Sequence, residues 1–194
     1  MTMPAPAEPS EEPAANGPTP GTIFLGLVLY HVGWLACVKE PTLGIGGFGA
    51  ASVAISTAVH LVLFSRRAEL LRTAAWASIW GLLADAVLMW TGVLVFASPI
   101  AGGWLPPVWM VALWWNFGLL CVAALDWLAK SPLWAVLFGV IGGPLAYYGG
   151  AAMGAVTFGV PLPYALAAVA AEWGLTMWIW SRFLSPPANV GARS

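Results

Sequence analysis

The chain has 194 residues, 60% of them hydrophobic and only 8% charged, with a formal net charge of −1. That mix excludes an ordinary soluble domain, and no basic run has the length of a phosphate-binding patch, so no nucleic-acid partner is expected. A single domain fits the length, and the lipid bilayer is the partner this composition calls for.

Pro, Ala and Glu dominate residues 1–21. This stretch has too little apolar surface to offset the entropy of ordering, so a disordered cytoplasmic tail is expected. It lacks the basic leader of a secretory signal, which makes the next apolar segment an uncleaved helix. Six segments then approach the roughly 20 residues a helix needs to cross the hydrocarbon. They run Thr22–Val38, Ile45–Phe64, Thr73–Phe96, Val108–Leu128, Leu133–Phe158 and Tyr164–Leu184. The fold class expected is an all-α integral membrane bundle of six transmembrane helices over residues 22–184, with a flexible tail at 185–194.

Six crossings put Arg66, Arg67, Arg72, Lys130, Arg182 and Arg193 on one side and Lys39 on the other. The positive-inside bias makes the first side cytoplasmic, giving a multi-pass protein of a bacterial inner membrane with both termini inside. Arg66, Arg67 and Arg72 read as topology determinants that could also grip anionic headgroups. Asp126 and Lys130 stand four apart, the spacing of a helix ion pair.

Of the 13 tryptophans, Trp104 and Trp109 fall at the expected outer interface, and Trp76, Trp127, Trp134, Trp178 and Trp180 nearer the inner one, as aromatic belts do. Trp80, Trp90, Trp114, Trp115 and Trp173 fall deeper, where an indole N–H wants an acceptor and the midplane carboxylates are the obvious candidates. Cys37 and Cys121 lack metal or redox spacing and read as small buried hydrophobes.

Polar groups at mid-depth carry the functional question. His31, Asp85, Asn116 and Glu172 each fall near the midpoint of a span, with Tyr147 or Tyr148 close by in the fifth. An ionisable residue there costs roughly 2.5–3.5 kcal/mol on insertion scales, so these groups must find partners inside the protein. Two readings stay open. One is a proton relay or polar ligand pocket; the other is a hydrogen-bond network stapling helices one, three, four and six. His60, near the inner end of the second span, reads as an interfacial or capping residue. Two histidines at these spacings do not make a metal site, and no cofactor motif is present.

The fifth span is rich in small residues. Gly142, Ala146, Gly150 and Gly154 recur every four residues, and Gly139 and Gly143 form a second pair. Such stripes let a neighbouring backbone approach closely, while Pro144 removes one backbone bond and is expected to kink the helix. A tightly packed central helix and a discontinuous, cavity-lining helix both fit. Leu43–Ala50 and Phe138–Ala146 look alike, which would suit three-helix halves of opposite topology.

Trp109–Phe117 (WMVALWWNF), Gly142–Ala151 (GGPLAYYGGA) and Met153–Val156 together resemble a family of small bacterial, mostly proteobacterial, inner-membrane proteins classed as a domain of unknown function. Tyr30–Val38, Gly81–Asp85 and Gly92–Phe96 extend the resemblance over nearly all of residues 22–184. It implies a polytopic membrane protein with no assigned activity, whose genes often lie beside those of fatty-acid-modifying enzymes such as cyclopropane synthases. Relatives often carry a Thr-Leu-Asn-His-like stretch after the Trp-rich motif, where this chain reads Gly118-Leu119-Leu120-Cys121.

Three function classes follow. An accessory protein would serve membrane-lipid modification or envelope stress through the midplane pocket. A proton-coupled transporter of a small or lipid-like solute would call for a homodimer or a membrane partner. An enzyme would use Asp85 or Glu172 as acid or base, though no nucleophile–base pair stands out, which leans against catalysis.

Overall fold

The computed structural model describes residues 19–184, so most of the first tail, the second tail and Arg193 lie outside the described residues. It is an all-α bundle of six helices: α1 (Pro20–Leu43), α2 (Phe48–Leu63), α3 (Arg67–Trp90), α4 (Val108–Ala123), α5 (Pro132–Ala152) and α6 (Leu162–Ile179). A 3₁₀ turn (Asp126–Lys130) joins α4 to α5, and a π turn (Trp180–Leu184) extends α6. By length and composition α1, α3, α5 and α6 with its extension are apolar enough to cross a membrane; α2 and α4 are shorter apolar helices of 16 residues each.

Several boundaries differ from expectation, each for a local reason. The Thr19 hydroxyl accepts from the Thr22 N–H at 3.2 Å and Pro20 sits in the first turn, so α1 starts inside the expected tail. Pro41 does not end it, because a proline so near the end forfeits one bond only; the chain leaves the helix at Gly44. Glu40 accepts the Gly49 N–H at 2.8 Å and so caps the start of α2. Helix α3 begins six residues before the expected Thr73, with Arg66 as its flank and Glu69 in its first turn. The helical path of α5 continues through Pro144, so the discontinuous-helix reading does not hold.

The third and fifth spans also end early. Residues Leu94–Phe96 (β1) and Val156–Phe158 (β2) are strands, not helix, and they pair antiparallel. Both follow the same helix ending. At the end of α3, Gly92 takes φ 72°, its N–H reaches Met89 O at 3.0 Å, and Val93 N–H reaches Leu88 O at 2.9 Å. At the end of α5, Gly154 takes φ 81°, its N–H reaches Ala151 O at 3.0 Å, and Ala155 N–H reaches Gly150 O at 3.0 Å. These are two Schellman endings, which need a residue that tolerates positive φ. The β-branched and aromatic residues that follow favour the strand.

Position Val95 faces Thr157, 62 residues on, and the same shift carries Leu94 onto Val156 and Phe96 onto Phe158. The register pairs Leu94 with Phe158 and Phe96 with Val156, so the ribbon maps onto itself. Flanking bonds reciprocate too: Ala97 N–H to Ala155 O and Gly159 N–H to Val93 O, both 3.1 Å. Residues 67–123 and 132–179 therefore form two helix–strand–helix hairpins related by a pseudo-two-fold axis, with both ribbon strands at one end of the bundle. This is a repeat of parallel type. It replaces the inverted repeat expected from Leu43–Ala50 and Phe138–Ala146, since the first of those segments spans the α1–α2 turn and the second lies inside α5.

The hairpins are packed alike. A Cβ on Gly81 in α3 would lie 2.1 Å from the Trp114 ring of α4, and one on Gly143 in α5 would lie 2.2 Å from Trp173 of α6. Each glycine admits an indole against bare backbone. Trp114 and Trp173 then stack on one another, centroids 4.7 Å apart at 22°, which closes the core across the axis. Helices α1 and α2 pack on each other and against α4.

Candidate functional site

Asp85 lies at the centre of the bundle with 0% of its surface exposed. Helix α3 brings it there because Gly81, one turn earlier, lets Trp114 reach in from α4. The Trp114 indole N–H donates to Asp85 Oδ2 at 2.7 Å, and the Tyr147 hydroxyl of α5 donates a short bond to Oδ1. Asp85 and Tyr147 are 62 residues apart, the shift of the repeat. They are thus equivalent positions of the two hairpins, and they meet at the axis. Two donors from two helices satisfy a carboxylate that lipid could not solvate.

Glu172 comes from α6 and is close enough to Asp85 to interact with it electrostatically. Both of its carboxylate oxygens are buried and accept no hydrogen bond among the described residues. One turn on, Thr176 accepts from the Trp80 indole at 2.7 Å and donates back to the Glu172 carbonyl at 2.8 Å, tying α3 to α6 beside it. The Trp109 and Trp173 indole N–H groups are likewise buried and make no hydrogen bond among the described residues. No ion pair among the described residues reaches Asp85 or Glu172.

The other expected members lie apart. Asn116 is buried on α4, but it joins different helices: its amide donates to Tyr30 O of α1 at 2.9 Å, and its carbonyl accepts from Ser56 of α2 at 3.4 Å. His31 is exposed and bonded only to its own helix, Nδ1 to Leu27 O at 2.7 Å, so it does not join Asp85; its position on α1 turns it outward. Tyr148 is 53% exposed, one residue round α5 from the inward Tyr147. The expected four-helix network is therefore two networks that share only α4. His60 is not interfacial: it is buried, bonded through Nδ1 to Ser56 O at 2.8 Å and stacked on Phe64.

The small residues of α5 divide their work. Gly139 and Gly143 take the α6 backbone and Trp173, whereas Gly142 meets only Phe138, at 3.8 Å. Gly142 and Ala146 line a groove of about 410 Å³ between α1 and α5, with Tyr30, His31, Trp34 and Trp173. A smaller cavity of about 30 Å³ adjoins it toward the ribbon and shares Tyr30, Trp34, Phe117, Ala146 and Trp173 with it. Gly150 lines this cavity, and Gly154 belongs to the helix ending. Trp114 and Tyr147, the two donors to Asp85, also form part of the cavity wall.

At the end carrying the α2–α3 turn, Arg66 bonds Glu69 (Nε to Oε2, 2.7 Å) and Asp126 (Nη1 to Oδ2, 2.9 Å). Partial burial works against the guanidinium charge, but these carboxylate bonds outweigh it and hold the pKa above its ordinary value. The expected Asp126–Lys130 pair is absent because 126–130 is a 3₁₀ turn, in which positions four apart do not align. Arg66 is thus engaged within the protein; Arg67 and Arg72 are exposed, and Arg72 donates to the Leu184 carbonyl at 3.4 Å. Trp109 and Trp180 are buried, against the expected belt, and Trp90 is 57% exposed, bonding Trp104 O at 2.8 Å.

Sequence reading singled out Asp85, Glu172 and Tyr147 and offered the midplane carboxylates as acceptors for the deep indoles; Trp114 does bond Asp85, but Gly81 was missed as the residue that admits it. The signal was available in Gly81-x-x-x-Asp85 and Gly143-x-x-x-Tyr147, each followed by a glycine and a β-rich triplet at matching distance.

Residues 23–179 match the family described as protein of unknown function (DUF2878), and the chain belongs to that family. No curated protein and no solved structure matches the chain.

Proposed function

We propose that this DUF2878 member is a bacterial inner-membrane protein that binds a membrane-dissolved, lipid-like molecule in the groove between α1 and α5, as an accessory to membrane-lipid modification. The observation that carries this reading is the continuity of an open apolar groove with a cavity walled by the two side chains that hold Asp85. A ligand would enter sideways from the bilayer, lay its apolar part along Gly142 and Ala146, and bring its polar end toward Tyr147 and Trp114. Pockets of this kind are mostly apolar with a few placed polar groups.

The reading includes six crossings with both termini cytoplasmic. Short connections between α1, α2 and α3, and the gathering of Arg66, Arg67, Arg72, Lys130 and Arg182 at one set of helix ends, support that orientation.

Filling the groove tests the proposal. Gly142 has open space where a side chain would go, so Gly142→Leu should fold normally yet exclude the ligand. Native mass spectrometry of the purified protein should find a bound lipid-like mass in the parent and lose it in the variant. Lipid analysis of a deletion strain, complemented with the parent or with Asp85→Asn, tests the accessory role; an unchanged lipid profile on deletion defeats that part.

A second reading, proton-coupled transport of such a molecule, is favoured by one specific observation. The parallel repeat sets Asp85 and Tyr147 at its axis, with a donor-free Glu172 carboxyl beside them. Repeats of this type and intramembrane carboxyls both recur in transporters. Proton uptake by proteoliposomes on adding an extracted ligand would decide for it.

A further inference from the structure

We infer that the polar end of the ligand is an organic cation, an ammonium carrying apolar substituents, held where the groove meets the small cavity; this rests on the groove reading above. Trp34, Trp109, Trp114 and Trp173 line the cavity together with Tyr30 and Tyr147. Six electron-rich rings around one small space form a cage of the kind that recognises quaternary ammonium groups, whose charge is spread over methyl groups and needs no hydrogen bond.

Charge points the same way. Asp85 and Glu172 stand together in the core, and no Lys, Arg or His among the described residues pairs with either. The groups answering Asp85 are neutral donors, so a cation in the cage would supply the counter-charge that the chain withholds. Trp114 and Tyr147 are at once cage wall and donors to Asp85. An indole or phenol that donates to a carboxylate gains electron density on its ring, which strengthens its hold on a cation in front of it.

The cavity of about 30 Å³ is too small for such a head by itself. The groove of about 410 Å³ shares Trp34 and Trp173 with it, so the head sits at their junction and the substituents trail into the groove.

The test compares benzyltrimethylammonium with neopentylbenzene, its uncharged carbon counterpart of the same shape, by titration calorimetry on protein in nanodiscs with empty nanodiscs subtracted. The cation should bind at least about tenfold more tightly. Asp85→Asn should abolish that preference while leaving the neutral compound's affinity in place, and Trp109→Leu, which keeps an apolar wall, should weaken the cation selectively. Equal binding of both compounds by the native chain overturns the cation inference and leaves the groove standing. Binding of neither, alongside a co-purified lipid that Gly142→Leu removes, also overturns it without touching the groove reading. The first comparison needs no variant, so a misfolded Asp85→Asn does not spare the proposal.

Discussion

At the end of α3 and again at the end of α5 the backbone makes the same Schellman turn and the same short strand, and about three turns before each turn glycine another glycine, Gly81 or Gly143, receives an indole. Two turns before the turn glycine, the hairpins part company: one carries Asp85, the other Tyr147. A symmetric pair of aspartates would repel at the axis, and a symmetric pair of tyrosines would leave it without charge. The difference converts a scaffold duplication into a donor–acceptor pair. The hairpins also differ in their links to the next helix: β1 leads into a loop with an extra bridge between Ile100 and Leu105, whereas β2 runs almost directly into α6.

The largest expected effect comes from exchanging the two sides of that pair. Asp85→Tyr alone crowds a second phenol into a fully buried site and strands the Trp114 N–H; it should cost about 3–5 kcal/mol, overpacking and a buried unsatisfied donor each contributing about 1–3. Tyr147→Asp alone sets two carboxyls against each other and should cost as much. The double exchange restores one of each. If the axis is a true two-fold, it should recover about half of the summed loss, visible as a raised midpoint of thermal unfolding in detergent. A double variant no better than the worse single would show that the two positions are not equivalent.

Next in size are the glycines that admit the indoles. Gly81→Ala and Gly143→Ala each drive a methyl group into a tryptophan ring, at 2.1 and 2.2 Å from the nearest ring atoms, and should each cost about 2–3 kcal/mol. Gly142→Ala, with only Phe138 at 3.8 Å, is the control and should leave the unfolding midpoint where it is. Matched losses in the first two sharpen the hairpin equivalence; a tolerated Gly81→Ala would mean that α3 and α4 pack loosely, unlike α5 and α6.

How much of this was legible beforehand follows from what each feature depends on. Hydropathy located all six helices because burial in lipid demands long apolar runs, and it placed Asp85 and Glu172 at depth for the same reason. It could not find the ends of α3 and α5. Leu94–Phe96 and Val156–Phe158 are as apolar as the helices before them, and only the turn glycines mark the change. Partner choice was less legible still. His31 and Asn116 lie at the right depth, but which way a residue turns round its helix depends on neighbours that a nearly uniform apolar sequence does not mark. Tyr147 and Tyr148 differ by one position; one holds the carboxylate and the other is exposed, a distinction set by Gly143 and Gly139 packing α5 onto α6.

The smallest effect isolates the turn itself. Gly92 and Gly154 both take positive φ, so alanine at either pays the left-handed penalty of about 1 kcal/mol. Their surroundings differ. Nothing lies within 4 Å of a Cβ at Gly92, whereas at Gly154 the Thr42 methyl would stand at 3.2 Å, because the C-terminal end of α1 reaches the second turn and not the first. Gly92→Ala should therefore lower stability by the backbone term alone, and Gly154→Ala by that term plus a few tenths for moving Thr42. Shortening the neighbour separates the two: Thr42→Ser removes the methyl and should bring Gly154→Ala level with Gly92→Ala. Should the two alanine variants differ by as much in the Thr42→Ser background, the excess lies in the turn and not in α1, and the hairpins are less alike than their hydrogen bonds make them.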